Sequence, residues 1–256
     1  EDGSVRCIIG VLDLLTRTSW KLDINLPKDK AYFTTSSFWF NSTEAEQPYY
    51  TWMNTGIKAA GNLQFIYPGQ SYIGHNGEHN NWPMDKKNGK DLSFYKNNDF
   101  GGYKSYHVFG KYNDFFGGYY HDEDFGMGRY GNYDDKPGKK IWIWGLSQQG
   151  MIWEKLLTDT DGQYVEVQSG RLFNQASEGS NYTPFKQRSF APYQTDTWTE
   201  YWFPVKQTKG FVKANNYGAV NVKNENGWLK IYLSPLQKLN EKLEVFDNNK
   251  KIYSKD

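Results

Sequence analysis

The sequence predicts an all-β fold, and three observations carry this prediction. Aromatic residues make up 18% of the 256 residues and nearly half of the 38% that are hydrophobic. Twenty-five glycines supply material for many turns. Short β-rich runs recur along the chain, and each ends in turn-forming residues. Because aromatic side chains suit pleated strands better than helices, we expect strands with aromatic faces throughout.

The predicted strands are runs of alternating or β-rich residues bounded by Gly, Asn, Asp or Pro. In the run 197–205 bulky residues fill both faces, as expected for a strand inside a sandwich. The run 236–246 fits a helix or a hairpin equally well. In chain order the predicted strands are 19–26, 32–40, 48–54, 62–67, 105–109, 139–145, 151–157, 163–168, 197–205, 210–214 and 228–233.

Two long polar stretches separate these strands. Residues 68–102 and 110–138 are rich in Gly, Asn, Asp and Lys, and loops of this length in a compact domain are usually functional or disordered. Their aromatic and histidine residues argue against disorder. A new strand begins after residue 227. The sequence therefore predicts a main β-domain over 1–222 and a C-terminal β-extension, or the start of a second small β-domain, over 223–256.

Composition excludes several classes of function. Thirty Lys and Arg against 29 Asp and Glu give a formal charge of +1, which predicts no nucleic-acid partner. Cys7 is the only cysteine, so no internal disulfide can form, and no metal or other cofactor is predicted. No apolar run approaches the roughly 20 residues of a membrane span, so no membrane insertion is expected. The chain starts at Glu1 without a signal peptide and reads as a fragment, which is compatible with a cytoplasmic or an extracytoplasmic location.

Two local motifs have a metal-binding and a structural interpretation. Residues 75–79 read His-Asn-Gly-Glu-His, the H-x-x-E-H pattern of some zinc proteases, but the surrounding Gly, Asn and Pro residues are poor helix formers and favour ordinary loop histidines. Residues 159–162 read Asp-Thr-Asp-Gly, and a turn explains them without calcium because the later acidic ligands are absent. No G-x-S-x-G, phosphate loop or dinucleotide fingerprint occurs, which shifts the prediction toward carbohydrate chemistry.

Carbohydrate recognition is the chemistry that the residue types favour. Planar aromatic rings stack on the apolar face of a pyranose, while carboxylates, amides and Arg bind its hydroxyls. Any single tryptophan is better explained as a core residue, and Trp82, in a polar stretch, is the one that we expect to be exposed. The candidate substrate-binding residues are Trp52, Asn54, His75, Trp82, Trp144, Gln168 and Arg171.

Glu166 is the predicted centre of the site. By the period of two in a strand, Glu166, Gln168 and Gly170 share one face, which places a carboxylate beside an amide. A carboxylate on a buried strand needs hydrogen-bond partners, or its pKa shifts upward toward a catalytic range. A salt bridge to an arginine is the structural alternative.

The same reasoning gives Glu166 a set of expected neighbours. Gln168, Arg171 and His121 are expected beside it. Asp122 and Asp124 are candidates for a second carboxylate because the glycine-rich stretch around them can bend the chain close to a ligand. The candidate catalytic residues are therefore Glu166, His121, Asp122 and Asp124.

Three segments form a recognisable set: Glu166-x-Gln168 followed by an Asn, then Ser189-Phe190-Ala191-Pro192-Tyr193 ahead of 197–205, and Tyr-Tyr-Thr-Trp-Met-Asn at 49–54. They resemble strands of the galactose mutarotase (aldose 1-epimerase) superfamily. The resemblance implies a β-supersandwich in which Glu166 is the catalytic base. The chain departs from the pattern at Tyr50, where epimerases place the histidine acid. An acid would then have to come from His75, His107 or His121.

A second set of segments covers nearly the whole chain. It comprises Tyr-Ile-Gly-His at 72–75, Lys-Ser-Tyr-His at 104–107, Lys-Lys-Ile-Trp-Ile-Trp-Gly-Leu at 139–146 and Gln-Ser-Gly-Arg-Leu-Phe-Asn-Gln at 168–175. On these segments the chain resembles a bacterial family of domains of unknown function that occur ahead of tetratricopeptide repeats. That resemblance implies a fused repeat domain outside this sequence and brings no known activity.

Three functions are compatible with these observations. The first is a carbohydrate-recognising domain whose cleft is centred on Glu166 and built by the stretches 68–102 and 110–138. The second is a glycoside hydrolase or epimerase acting on an oligosaccharide, and a hydrolase would need two carboxylates within reach of one sugar. The third is a non-catalytic protein-interaction scaffold, which would show a flat apolar patch.

Overall fold

A computed structural model describes residues 2–172 and 188–255, and it confirms the all-β prediction. Within these ranges there is one α-helix, α1 (Gln148–Leu157), and one 3-10 turn, Tyr95–Asn97. Phe173, Asn174 and Gln175 of the family segment lie outside the described residues. The strands are β1 (Val5–Leu12), β2 (Thr18–Leu26), β3 (Phe33–Asn41), β4 (Gln47–Tyr49), β5 (Trp52–Lys58), β6 (Leu63–Ile66), β7 (Ser71–Ile73), β8 (His79–Asn81), β9 (Met84–Asp85), β10 (Lys90–Asp91), β11 (Lys104–Phe109), β12 (Phe115–Tyr120), β13 (Phe125–Tyr130), β14 (Gly138–Ile143), β15 (Tyr164–Gly170), β16 (Arg188–Phe190), β17 (Thr195–Lys206), β18 (Lys213–Asn215), β19 (Gly218–Glu225), β20 (Trp228–Pro235), β21 (Leu243–Asp247) and β22 (Lys250–Lys255).

Two antiparallel sheets form a sandwich. The seven-stranded sheet has the order β1-β2-β3-β17-β13-β12-β6, and the six-stranded sheet has the order β5-β15-β14-β11-β7-β8. A hydrophobic core fills the space between them, with Phe65, Phe116 and Trp202 of the first sheet in one cluster with Ile141 and Val167 of the second. Aromatic residues of the first sheet therefore pack against aliphatic residues of β14 and β15.

Alternation along β14 and β15 decides which side chains reach this core. The core cluster takes Ile141, Ile143, Val165 and Val167. Because successive side chains of a strand point to opposite faces, the residues between them belong to the other face of the six-stranded sheet, which we call the outer face. The outer face of these two strands carries Lys140, Trp142, Glu166 and Gln168.

A buried ionic cluster joins the two sheets beneath β15. Glu200 on β17 accepts hydrogen bonds from Arg129 Nε at 2.8 Å and from Ser169 Oγ at 2.9 Å. Lys136 Nζ lies 3.6 Å from the second carboxylate oxygen. Burial raises the pKa of Glu200, but the charges of Arg129 and Lys136 outweigh burial and hold the pKa below its ordinary value. This Glu200 cluster ties the strand of Glu166 to the opposite sheet, since Ser169 belongs to β15.

Two further polar contacts hold β15 in register. Arg171, just after the strand, donates from Nε to Asp196 Oδ2 at 2.8 Å and from Nη2 to Oδ1 of the same carboxylate. Tyr49 also donates to Asp196, at 2.9 Å. From the core side, the Tyr67 hydroxyl accepts from the backbone N–H of Gln168 at 3.3 Å and donates to the carbonyl of Lys140. Polar groups on the inner face thus fix the position of the strand that carries the outer-face residues.

The C-terminal strands form separate small sheets. The sheet β18-β19-β20 packs against the outer side of the seven-stranded sheet, where Ala219 and Leu236 join a cluster with Phe115 and Phe203. Strand β19 runs through residue 222 and pairs along its length with β20. The last strands form the hairpin β21-β22, so the end of the run 236–246 is a strand.

The predicted strand 151–157 is wrong, because these residues belong to helix α1. Gln, Glu, Lys, Met and Leu in this segment are good helix formers, and Ser147 stands at its N-cap position. Trp153 packs on Trp144 with ring centroids 5.5 Å apart, so tertiary contact stabilises the helix. No helix among the described residues has the length and apolar character that a membrane span requires.

The stretch 110–138 is not a loop, because it contains the hairpin β12-β13 of the seven-stranded sheet. Its glycines make room for neighbouring rings: a Cβ on Gly128 would lie 2.3 Å from the ring of Phe203. Glycine here reflects close packing between aromatic strands, which composition alone does not distinguish from a loop. The stretch 68–102 forms the short strands β7 to β10 and the 3-10 turn.

The Glu200 cluster yields a stability prediction. Replacing Glu200 with Gln leaves the buried Arg129 and Lys136 charges without their carboxylate, and removing one partner of a buried pair costs about 3–5 kcal/mol. Urea denaturation should show a loss of this size in the unfolding free energy. The matched control is Glu225→Gln, which breaks the exposed pairs of Glu225 with Lys209 and Lys230 and should cost much less. Equal losses in the two variants would contradict the structural role of the cluster.

Candidate functional site

The candidate site lies on the outer face of the six-stranded sheet, where strand register sets side chains in two rows. In the first row, Glu166 on β15 pairs with Trp142 on β14, which pairs with Ser105 on β11. In the second row, Gln168 pairs with Lys140, which pairs with His107. The sheet therefore brings a carboxylate, an amide, an amine, an imidazole and an indole together on one face, where all five side chains are buried.

The carboxylate of Glu166 is held by two side chains. Gln168 donates from Nε2 to Glu166 Oε2, and Trp144 donates from Nε1 to Oε1 at 3.4 Å. Burial raises the pKa of Glu166, and the hydrogen bonds from Gln168 and Trp144 and the charge of Lys140 oppose this rise. Desolvation prevails, so Glu166 is a stronger base than an exposed glutamate.

Trp52 orients this pair through the amide of Gln168. Its Nε1 donates to Gln168 Oε1, which leaves the Gln168 amide nitrogen to donate to Glu166. The Trp52 ring lies over two glycines that pair across β14 and β15. A Cβ atom on Gly170 would lie 1.6 Å from this ring, and a Cβ atom on Gly138 would lie 2.8 Å from it. These glycines create the slot that Trp52 occupies, so the sequence positions Gly138 and Gly170 serve the site directly.

Lys140 and His107 are the basic groups of the outer face. Lys140 Nζ lies 4.4 Å from the ring centroid of Trp142, and burial lowers the pKa of Lys140 to about 7 while the charge of Glu166 opposes the shift. His107 is buried, its Nδ1 lies 2.9 Å from the carbonyl of Ile73, and desolvation lowers the pKa of His107 to about 3. At neutral pH His107 is uncharged and donates from Nδ1, whereas Lys140 lies near its titration midpoint.

Aromatic rings build a wall on one side of Glu166. Trp142 stacks on Tyr103 at 4.7 Å with an interplanar angle of 10°, and Trp144 meets Trp142 edge-on at 5.2 Å. His75 contacts the Trp142 ring at 5.2 Å, also edge-on. Residues 75–79 form a turn and the start of β8, not a helix. Among the described residues, no three His, Cys, Asp or Glu side chains come together as a metal site would require.

The three other candidate catalytic residues lie at the β12-β13 turn of the seven-stranded sheet. His121 Nε2 is 2.8 Å from Gln64 Oε1, Asp122 accepts from Asn62, and Asp124 accepts from the backbone N–H of Lys209. The structure does not bring them to Glu166. The physical reason is that their glycine-rich stretch is a hairpin in the other sheet.

The candidate substrate-binding residues divide between the site and the core. Trp52, Trp144, Gln168 and His75 surround the outer face, and Asn54 lies opposite Gln168 on the edge strand β5, exposed. The expectation that Trp82 is exposed is wrong, because Trp82 is 5% exposed and its Nε1 donates to the carbonyl of Tyr67. Arg171 lies on the inner side of the sheet and pairs with Asp196. This follows from strand alternation, because Gly170 belongs to the outer face and the next residue points the opposite way.

Sequence reasoning overlooked Lys140 and Ser105, and it named His107 only as a substitute acid. The signal was present in residues 140–144, where Ile141 and Ile143 alternate with Lys140 and two tryptophans. Because side chains alternate along a strand, Lys140 lies on the same face as Trp142 and Trp144. Only the register between β14 and β15 shows that this face also carries Glu166.

Lys140 yields a prediction on pH dependence. Its folded-state pKa of about 7 lies below the ordinary 10.5, so between these values the unfolded state binds more protons and the unfolding free energy rises with pH. Lys140→Met should flatten this rise by up to about 1.4 kcal/mol per pH unit, measured by urea denaturation from pH 7 to 10. Lys230→Met is the control, because ion pairing with Glu225 raises the pKa of Lys230. An unchanged slope in Lys140→Met would refute the assignment.

Comparisons with solved structures identify the fold. A tetratricopeptide-repeat-containing protein from Parabacteroides distasonis aligns with a TM-score of 0.65 at 18% identity over 82% of this chain and 33% of its own. A putative aldose 1-epimerase from Escherichia coli K12 aligns with a TM-score of 0.55 at 10% identity over 81% of this chain and 67% of its own. A putative mutarotase from Salmonella typhimurium aligns with a TM-score of 0.52 at 7% identity over 81% of this chain and 62% of its own.

These likenesses confirm a galactose mutarotase-like β-sandwich and concern the fold alone. The chain spans about a third of the length of the repeat protein and about two thirds of the length of the two enzyme-like proteins. The family described as "Domain of unknown function (DUF5107)" matches residues 1–205. The match covers most of the chain, and the protein therefore belongs to that family.

Proposed function

We propose that the outer face of the six-stranded sheet binds a carbohydrate, with Glu166 as the central group that accepts hydrogen bonds from sugar hydroxyls. The observation that carries the proposal is the hydrogen-bonded chain in which Trp52 orients Gln168 and Gln168 orients Glu166. A carboxylate held rigidly among indole rings is the combination that sugar recognition uses, because rings cover the apolar face of a pyranose while fixed polar groups bind its hydroxyls.

Unsatisfied donors support the same proposal. Among the described residues, Trp142 Nε1 and Trp153 Nε1 are buried and have no hydrogen-bond partner. Buried polar groups are nearly always paired in folded proteins, so an unpaired donor in a candidate site calls for an acceptor from a ligand or a water molecule. A sugar hydroxyl can accept from an indole N–H and donate to a carboxylate such as Glu166 at the same time.

Epimerase-like catalysis is the second candidate, and the position of Lys140 favours it. Exchange of anomers requires a base for the anomeric hydroxyl and an acid for the ring oxygen. Burial raises the pKa of Glu166 and lowers the pKa of Lys140, on the neighbouring strand, to about 7, so Glu166 suits the role of the base and Lys140 that of the acid. Hydrolase chemistry has less support, since the candidate second carboxylates, Asp122 and Asp124, lie at the β12-β13 turn of the seven-stranded sheet.

A protein-interaction role is the third candidate, and one surface favours it. Val5, Ile9 and Val11 on β1 are about half or more exposed, and a groove of about 450 Å³ runs between β2, β3 and the edge strand β5. Apolar surface of this kind marks interaction sites. The exposed residues of β1 lie at the far edge of the seven-stranded sheet, so an interaction role there and a carbohydrate site on the six-stranded sheet are compatible on one molecule.

The first test of the proposal is binding on a glycan array followed by titration calorimetry with the saccharide that gives the strongest signal. Glu166→Gln removes a charged acceptor, whose hydrogen bonds are worth about 1.5–3 kcal/mol, so affinity should fall about 10- to 100-fold. Trp144→Ala removes the donor and the ring beside it and should weaken binding as well.

The matched control is Trp228→Ala, which deletes an indole that is 73% exposed on the C-terminal sheet. Its affinity should equal that of the wild type. The absence of binding to any saccharide, or equal losses in Trp144→Ala and Trp228→Ala, would refute the carbohydrate site.

Turnover separates a binding module from an epimerase. Anomer exchange of the bound sugar can be followed by NMR exchange spectroscopy in the wild type, Glu166→Gln and Lys140→Met. Exchange accelerated by the wild type and lost in both variants supports the enzyme. If the wild type binds the sugar without accelerating exchange, the domain is a binding module.

A further inference from the structure

A polar recess of about 360 Å³ opens at the side of the outer face, next to β11. It adjoins the aromatic wall, because Tyr103 and His75 contact Trp142 and also line the recess. The Glu166 site and the recess are therefore neighbours on the same face of the sheet. The lining of the recess includes His75, Glu78, Asn88, Asp99, Tyr103 and Ser105.

Ser105 is the observation that distinguishes this recess from other polar hollows. The side chain is 6% exposed and lines the recess, and Ser105 Oγ has no hydrogen-bond partner in the part of the chain that the structure describes. A buried hydroxyl left without a partner costs about 1–3 kcal/mol. Trp142, its register neighbour, carries the unpaired Nε1, so two adjacent polar groups lack partners. A hydroxylated ligand supplies a partner to both.

The rest of the recess suits a neutral, hydroxylated ligand. Tyr103 is 42% exposed and its ring is held flat against Trp142, which gives a rigid apolar face. Asp99 lies 3.6 Å from Lys104, so its charge is partly balanced. Further hydrogen-bonding groups come from two carboxylates, one amine and two amides: Glu78, Asp85, Lys90, Asn88 and Asn97. An apolar ring face beside fixed polar groups is the arrangement that sugar rings require.

We propose that this recess is a second carbohydrate subsite, so that the ligand is an oligosaccharide with one residue over Glu166 and the next against Tyr103 and Ser105. The inference rests on the proposed function of the Glu166 site. Glu166 and Ser105 lie two strands apart in one row, about 10 Å at the usual strand spacing. At that separation, Glu166 and Ser105 would each contact one of two neighbouring sugar rings of an oligosaccharide. Trp142 lies between Glu166 and Ser105 in the same row.

The test is titration calorimetry with paired sugars: galactose, glucose and mannose against lactose, cellobiose, maltose and mannobiose. The wild type should bind one disaccharide at least about 10-fold more tightly than its monosaccharide, which corresponds to about 1.4 kcal/mol. Ser105→Val fills the recess and removes the hydroxyl, and Tyr103→Ala removes the exposed ring. Both variants should lose the disaccharide preference, because the affinity for the disaccharide should fall by a larger factor than the affinity for the monosaccharide.

Tyr217→Ala, a deletion of an exposed tyrosine on the C-terminal sheet, is the matched control and should keep the preference. Tyr103 is exposed enough that its variant tests the idea even if Ser105→Val folds poorly, which a melting curve would show. Equal affinity of the wild type for both members of every pair, or a preference that survives in both variants, would overturn the subsite and leave the Glu166 site standing. A failure of the wild type to bind any of these sugars, together with a glycan array that gives no signal, would remove both proposals together.

Discussion

The buried carboxylate of Glu200 is the constraint on which the rest of the structure depends. It accepts hydrogen bonds from Arg129 on its own sheet and from Ser169 on the other, so one charged group crosses the sandwich. Taking such a group out of water is costly unless every partner is in place. The cost makes the arrangement selective: β15 satisfies Glu200 in one register, and a slip by one residue would turn Ser169 away and place Glu166 in the core.

The outer face follows from that register. Ser169 and Arg171 face the opposite sheet, while Glu166, Gln168 and Gly170 face outward from the same strand. Structural and site residues thus alternate one by one along β15. The ring of Trp52 can reach Gln168 because Gly170 and Gly138 carry no side chain beneath it. Low dielectric then raises the pKa of Glu166 and lowers that of Lys140, which brings both groups toward neutral pH.

The sequence was informative where local pattern and structure agree. Aromatic alternation predicted the sheets, and Glu166 and Gln168 are neighbours because period two is a property of any strand. Distant register cannot be derived in this way, so the proximity of Lys140 to Glu166 was missed. The glycine-rich composition of residues 110–138 predicted a loop, but the stretch contains a hairpin of two strands. Its glycines leave room for aromatic rings of the neighbouring strands.

Trp82 and Arg171 show a further limit of pattern reasoning. Trp82 lies in a polar stretch, yet its indole reaches the core and donates to a backbone carbonyl. Arg171 has the right chemistry for a sugar site but takes part in a partly buried ion pair with Asp196. In both cases a tertiary partner far away in the sequence decides the role, and no local window contains it.

The most direct test of the central claim uses the ten indole N–H groups of the protein as reporters in a ¹⁵N-resolved NMR spectrum during titration with a bound saccharide. If the outer face is the binding site, the indole signals of Trp52, Trp142 and Trp144 shift, while those of Trp39, Trp198 and Trp228 stay in place. Shifts of Trp39, Trp198 and Trp52, which all line the groove beside β5, without shifts of Trp142 and Trp144 would contradict the account and move the site to that groove.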